Sequence, residues 1–174
     1  MTAERGLCGG FNSNIAKLAR SHAAKLKQSG KRLKIITVGK KGRDALKRDF
    51  GEYFVEHVDL SEFKSIKYVN AQAIAKALLA RFDDSEYDVA TIFYSKFVNV
   101  VTQIPTAQQI IPAIFDDQLS GSDKAVYDYE PDEETILADL LPRGVATQIF
   151  AALLENGASE PVSYTHLTLP TNGE

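Results

Sequence analysis

The sequence predicts an α/β domain: a Rossmann-like, three-layer arrangement with a mainly parallel sheet, followed by the start of a long C-terminal helix. Three observations predict it. Short β-branched runs alternate with amphipathic segments of helical length, the order that yields βαβ units covered on both faces. Glycines punctuate the strand-to-helix junctions, at Gly39 and within Gly6–Gly10. In 174 residues, 44% are hydrophobic and 25% charged, enough apolar material for a core without disulfide or metal support.

Residues 11–29 read as an amphipathic helix, with Phe11, Ile15, Leu18, Ala19, His22 and Leu26 on one stripe and Lys17, Arg20, Lys25 and Lys27 mostly off it. Asn12 or Ser13 is the expected N-cap and Gly30 the C′ residue. Leu33–Val38 reads as a buried strand ending at Gly39. A helix over 40–49 and a strand over Tyr53–Val58 follow. Ile66–Phe82 is the third helix, its expected buried face being Val69, Ala73, Ile74, Ala77 and Leu78. Asp88–Tyr94 is the next strand. Val98–Ile111 reads as extended but interrupted by Pro105. A further strand is expected ahead of Gly6, where only five residues stand, so the sequence is expected to open inside a strand. Residues 1–125 form this globular domain.

Residues 126–160 read as an edge segment, Val126–Pro131, and then a helix from about Asp132 to Glu155. Its first turn is acidic (Asp132, Glu133, Glu134), as the helix dipole favours. Its apolar positions are Ile136, Leu137, Leu140, Leu141, Val145, Ile149, Phe150 and Leu153, and Pro142 is expected to kink or interrupt it. From Pro161 the helical period disappears. Residues 161–174 read as a non-native, adapter-like tail and are set aside from the fold.

The chemistry-bearing residues are few. Cys8 is the single cysteine, so no internal disulfide forms and a reducing compartment is the simple reading. No stretch approaches the ~18 apolar residues of a membrane span, and no signal-peptide h-region follows Met1. The net charge of −3 conceals a split: twelve Lys/Arg against Asp44 alone between Lys17 and Arg48, and eleven acids against Lys124 and Arg143 between Pro112 and Glu160. Solvated helix faces explain such a split, and so does a basic face that meets an acidic partner or a nucleic acid. The second use is disfavoured for nucleic acid, since no aromatics interleave the cations and no zinc-finger spacing is present.

Gly6-Leu7-Cys8-Gly9-Gly10 occupies the place of a phosphate loop, yet it is neither G-x-G-x-x-G nor followed by Lys-Ser/Thr. A tight turn that needs small residues is the plainer reading; a small-molecule or nucleotide-binding α/β enzyme using Gly6–Gly10 is the alternative. Cys8 as a nucleophile would need a base nearby, and His22, His57 and His166 are scattered along the chain. The three His and one Cys show no zinc spacing. No catalytic residue, metal or cofactor is expected.

Four ordered segments carry a family resemblance. Arg5-Gly6-Leu7-Cys8-Gly9-Gly10-Phe11-Asn12-Ser13-Asn14-Ile15, preceded by Glu4, resembles the N-terminal signature of the F-type ATP synthase gamma subunits, where Asp is the more usual acid. Tyr94–Asn99 with Gln103–Pro105 is similar to their mid-domain strand. Tyr127-Asp128-Tyr129-Glu130-Pro131 and Leu140-Leu141-Pro142-Arg143 match later elements, and Gln148–Glu160 resembles the start of their long C-terminal helix. Gly144 departs from the larger residue common there, and Pro161 departs from the run that closes the helix. The family's long N-terminal helix has no counterpart.

The resemblance implies a non-catalytic rotor subunit of the central stalk, coupling c-ring rotation to ATP synthesis or hydrolysis in the catalytic hexamer. Implied partners are the alpha, beta and epsilon subunits and the membrane c-ring. The implied location is peripheral, on the cytoplasmic face of a bacterial inner membrane or the matrix face of the mitochondrial one. By the same resemblance Arg5, Gly6, Leu7, Cys8, Gly9 and Gly10 would face the beta subunits, and Tyr127, Asp128, Tyr129 and Glu130 the epsilon subunit and c-ring. Ile149 and Leu153 are expected to lack a coiled-coil mate and to be exposed.

Overall fold

The computed structural model describes residues 1–4, 10–61, 65–99, 102–112 and 133–168, with side chains in the last stretch described over 138–159. The elements run α1 (Phe11–Gln28), β1 (Ile35–Val38), α2 (Lys40–Phe50), a 3-10 turn (Gly51–Tyr53), β2 (Phe54–Val58), α3 (Tyr68–Asp83), β3 (Ala90–Phe97), β4 (Gln103–Ile111) and α4 (Glu133–Thr168). The expected mixed fold, with parallel pairing and a C-terminal helix, is present. Arg5–Gly9 and Tyr127–Glu130, expected as contact segments, lie outside the described residues.

β1 and β2 pair in parallel, Ile36 opposite Glu56 and Val38 opposite Val58. α2 and the 3-10 turn make the crossover between them. β3 and β4 pair antiparallel, Phe93 opposite Ala107 and Ser95 opposite Pro105. The connection from Phe97 to Gln103 is too short for a parallel crossover, so β4 must return antiparallel. Residues 1–3 lie between the two pairs. The Thr2 N–H donates to the Val38 carbonyl at 2.9 Å, and the Met1 amine donates to the Phe93 carbonyl at 2.6 Å.

Pro105 does not interrupt β4. Ser95, its opposite residue, turns its N–H the other way, to Asn156 Oδ1 at 3.3 Å. The Ser95–Pro105 position is therefore one where the ladder asks for no N–H, and proline is tolerated there.

α1 starts at Phe11 as expected, but its N-cap lies two to three residues before the expected Asn12 or Ser13. Gly10 is the N-cap, with no side-chain cap. Asn12 instead accepts the Ala3 N–H at 2.9 Å, and Ser13 Oγ donates to the Gly10 carbonyl at 3.0 Å. At the other end the Lys31 N–H reaches Leu26 O and the Gly30 N–H reaches Lys27 O, each at 3.0 Å, with Gly30 at φ +69°. That is a left-handed C-terminal cap, as the glycine predicts.

α3 is rotated relative to its expected face. Ala71 and Ala75 are fully buried, Ile74 and Leu78 partly so, while Ala73 is exposed and Val69 is 61% exposed. The small residues let α4 approach closely on one side while Ile74 and Leu78 reach the sheet. Apolarity alone does not distinguish Val69 from them.

α4 lies across α3 and the β3–β4 pair. Val145, Ala146, Ile149 and Leu153 join Val38, Ala71, Ala75, Ile110 and Ile111 in the main core. Ile149 and Leu153 are each 1% exposed, so the expectation that they stand exposed is wrong: they are anchored by the body of the domain. Among the described residues, the exposed large hydrophobic residues of α4 are Leu140, Leu141 and Leu154. The helix also runs through Pro142 without a break. Residues 138–144 are all exposed, so water reaches the Ala138 carbonyl that proline leaves without its helical donor. The backbone remains helical through Thr168, past Pro161, where the sequence showed no helical period.

Candidate functional site

Two strand-to-helix junctions meet around residues 1–4. At the end of β1 stands Gly39-Lys40-Lys41-Gly42, and α2 begins at Lys40. Glycines and unpaired N–H groups at such a helix start are the ingredients of a phosphate site. Here the chain itself fills the position. Thr2 Oγ1 accepts the Gly42 N–H at 2.7 Å, and an added Cβ on Gly42 would stand 2.8 Å from that oxygen. Glu4 accepts the Lys40 N–H through Oε2 at 3.2 Å and the Leu60 N–H through Oε1 at 2.7 Å. A carboxylate of the protein thus takes the place an incoming anion would need, with the helix dipole in its favour. The Lys41 N–H is also taken, by the Ala3 carbonyl at 3.2 Å.

Glu4 entered the sequence reading only as the acid before Arg5, and Thr2 did not enter it. The available signal was the second glycine pair, Gly39 and Gly42, after a clear strand. Of the expected contact loop, Gly10 is described: it caps α1 and is exposed, and an added Cβ would meet Asn14 Nδ2 at 3.0 Å. Cys8 lies outside the described residues. Two of the histidines weighed as its base are engaged elsewhere. His22 stacks edge-on against Phe93, centroids 5.3 Å apart, and His57 Nδ1 lies 2.8 Å from Thr37 Oγ1. His22 is half-buried rather than part of the buried stripe. Among the described residues, no three His, Cys, Asp or Glu converge as a metal site.

The basic segment folds onto neighbouring faces of α1 and α2, which pack through Ala23, Leu46 and Phe50. Part of it is neutralised within the domain. Arg20 bridges to Asp49 at 3.1 Å and donates to the Ala45 carbonyl, and Lys27 lies over the Tyr53 ring. Lys34 pairs with Glu86 at 2.6 Å, and Arg81 spans Glu56 and Glu86. That pairing, first Lys34 and then Arg81, holds the Glu86 carboxyl below its ordinary value. Lys17, Lys25, Lys31, Arg43 and Lys47 are exposed and form no ion pair among the described residues. They remain available to an acidic partner.

α4 ties itself to β3 through polar groups as well as apolar ones. Phe97 N–H donates to Glu155 Oε2 at 2.7 Å, Ser95 N–H to Asn156 Oδ1, and Ser159 Oγ donates to the Ser95 carbonyl at 3.4 Å. Buried Asn156 and Ser159 thus replace ladder partners along the end of β3. No described helix is long and apolar enough to cross a membrane. The arrangement offers a plugged helix start, a basic face and an anchored long helix, which are the means of making protein contacts.

Comparison with known proteins agrees in detail. A family model described as ATP synthase matches residues 1–164. The ATP synthase gamma chain of Roseobacter denitrificans is 72% identical over 160 residues, 92% of this chain and 55% of the relative. That of Ruegeria sp. (strain TM1040) is 72% identical with the same coverage. The chain therefore spans about half the length of the curated relatives it matches (55%). The fold is that of the central stalk of Tetrahymena thermophila mitochondrial ATP synthase, with TM-score 0.73 at 23% identity over 95% of this chain and 71% of the other. The Euglena gracilis mitochondrial ATP synthase rotor gives TM-score 0.64 at 21% identity, over 95% and 62%. The motif order read from the sequence, the fold and the relatives coincide, and the chain belongs to the ATP synthase gamma chain family.

Proposed function

We propose that the protein works as the central-stalk rotor subunit of a proton-translocating F-type ATP synthase, coupling c-ring rotation to ATP synthesis or hydrolysis in the catalytic hexamer. It does so as a non-catalytic subunit. The observation that supports this best is a long helix, α4, anchored in a body whose own Thr2 and Glu4 occupy the helix start where a nucleotide phosphate would bind. A rotor transmits force and needs such anchoring; it needs no substrate pocket.

Its partners in this reading are the alpha and beta subunits, the epsilon subunit and the c-ring, and its place is peripheral, on the cytoplasmic face of a bacterial inner membrane or the matrix face of the mitochondrial one. The stretch Arg5–Gly10 would touch the beta subunits and Tyr127–Glu130 the epsilon subunit and c-ring loops. Residues 1–125 would be the globular part and 126–160 the edge segment and shaft root, with 161–174 adding nothing to the activity.

The test is retention of purified alpha–beta hexamer, epsilon subunit and c-ring by the immobilised chain. Retention that weakens with salt is expected, because the exposed cations of α1 and α2 are screened. Failure to retain any of them at low salt overturns the proposal.

A further inference from the structure

α4 meets the rest of the domain in two chemically different ways. One side is apolar: Ala146, Ile149 and Leu153 pack with Ala71, Ala75 and Ile110. The other carries Gln148, Glu155 and Ser159, at i, i+7 and i+11 on one stripe, with Asn156 beside them. All four side chains are engaged with the β3–β4 pair. Gln148 Oε1 accepts from Gln108 Nε2 at 3.0 Å, and Gln108 Oε1 accepts from the Tyr94 hydroxyl at 3.0 Å. Glu155 and Asn156 accept the Phe97 and Ser95 N–H groups. Ser159 Oγ, shared with the Glu155 carbonyl of its own helix at 2.9 Å, donates to the Ser95 carbonyl at 3.4 Å.

Along that edge of β3 the main chain calls for an acceptor, a donor and an acceptor in turn. A neighbouring strand would supply them in this order. Here three side chains of a helix do, and Ser95, Asn156 and Ser159 are buried where they meet. The two sides of α4 resist different motions. Apolar burial is non-directional, so it opposes separation more than turning. Hydrogen bonds weaken steeply with distance and angle. With side chains about 5 Å from the helix axis, a turn of about 20° carries their polar atoms about 2 Å off line. Such a turn leaves the buried Ser95 groups without partners, which the apolar side alone would not prevent.

We propose that Glu155 and Asn156, with Ser159 and Gln148, form a torque joint: they are positioning residues that hold α4 against turning about its own axis relative to the globular body. The inference rests on the rotor reading and adds to it the place where load crosses between body and helix.

The experiment uses vesicle-reconstituted ATP synthase whose gamma chain carries this sequence, and reads proton uptake per ATP hydrolysed. Glu155→Leu combined with Asn156→Leu removes two of the four links, and the ratio is expected to fall about twofold while hydrolysis continues. Glu155→Leu and Glu155→Gln remove the same charge, but only glutamine keeps an acceptor for the Phe97 N–H. Glu155→Leu is expected to lower the ratio and Glu155→Gln to leave it at the parent value. This half-buried pair keeps the test decisive where the double variant does not assemble. Leu153→Ala hollows the apolar side instead. It is expected to lower the urea midpoint more than Glu155→Leu does and to leave the ratio intact. Equal ratios in Glu155→Leu and Glu155→Gln overturn the inference. So does a ratio that falls in step with lost stability, Leu153→Ala included, the sign of a merely structural role. An enzyme in which the unsubstituted chain fails to couple overturns the rotor reading and the joint with it; a coupled parent with equally coupled variants removes the joint alone.

Discussion

Gly39 stands at φ +87°, and an added Cβ would lie 2.0 Å from the Thr2 carbonyl oxygen. Both the backbone conformation and the space demand glycine. Gly39→Ala must either push residues 1–4 away from β1 or bend the junction, and is expected to cost about 3 kcal/mol or more of unfolding free energy. Urea denaturation measures it, and an unchanged midpoint would show that Thr2 is not seated there. Glu4 offers an independent check. Removing its carboxylate leaves the Lys40 and Leu60 N–H groups without their acceptor. Glu4→Ala is expected to lose ~2 kcal/mol, the scale of hydrogen bonds to a charged group; a loss within a few tenths would mean that water replaces the carboxylate without penalty.

At the scale of elements, α4 carries a weakness the sequence announces. Gly144 lies in the helix interior, is exposed, and has nothing within 4 Å of an added Cβ. Gly144→Ala is therefore expected to stabilise the protein by about 0.5–1 kcal/mol through a less flexible unfolded chain, read as a raised urea midpoint. A lowered midpoint would mean that the turn after Pro142 is not helical. Legibility follows the same physics. α1, α2 and β2 were readable to within a residue or two because their apolar period, or a terminal glycine such as Gly30, is a local property. The buried face of α3 was not, because Val69 and Ile74 differ only in which one meets the sheet. Ile149 and Leu153 were readable as apolar but not as buried, since their partners Ala71, Ala75 and Ile110 are distant in sequence. Thr2 and Glu4 were illegible for the same reason: their donors belong to α2 and to the turn after β2. Cys8 and the rest of Arg5–Gly9 pointed to the family through identity and order of residues, not through any chemistry their spacing displays.

For the molecule as a whole, the junction of the two strand pairs contributes a pH dependence to stability between about pH 5 and about pH 8. The Met1 amine, buried where it donates to Phe93, has its pKa lowered by burial to about 5 from 8.0, although the Met1 residue as a whole remains partly exposed. The group is a base whose folded pKa is depressed. Between those two values the unfolded chain carries the proton and the folded chain does not, so the unfolded state binds more protons and stability must rise with pH across that window. Below about pH 5 the ammonium is charged in both states and its burial opposes folding fully. The gain from about pH 5 to about pH 8 amounts to at most about 4 kcal/mol from this group. Glu86 does not imitate it. Its carboxyl is held low, chiefly by Lys34, so its stabilisation is present above the ordinary carboxylate value and is lost only as pH falls below that range. Acetylation of the N-terminus removes the titrating charge while keeping an N–H for the Phe93 carbonyl. Urea unfolding of the free and acetylated chains at the two pH values isolates the effect, since every other group is common to both. The free chain is expected to gain stability with pH relative to the acetylated one. Parallel curves would place the amine in water and would separate residues 1–3 from the two strand pairs they join.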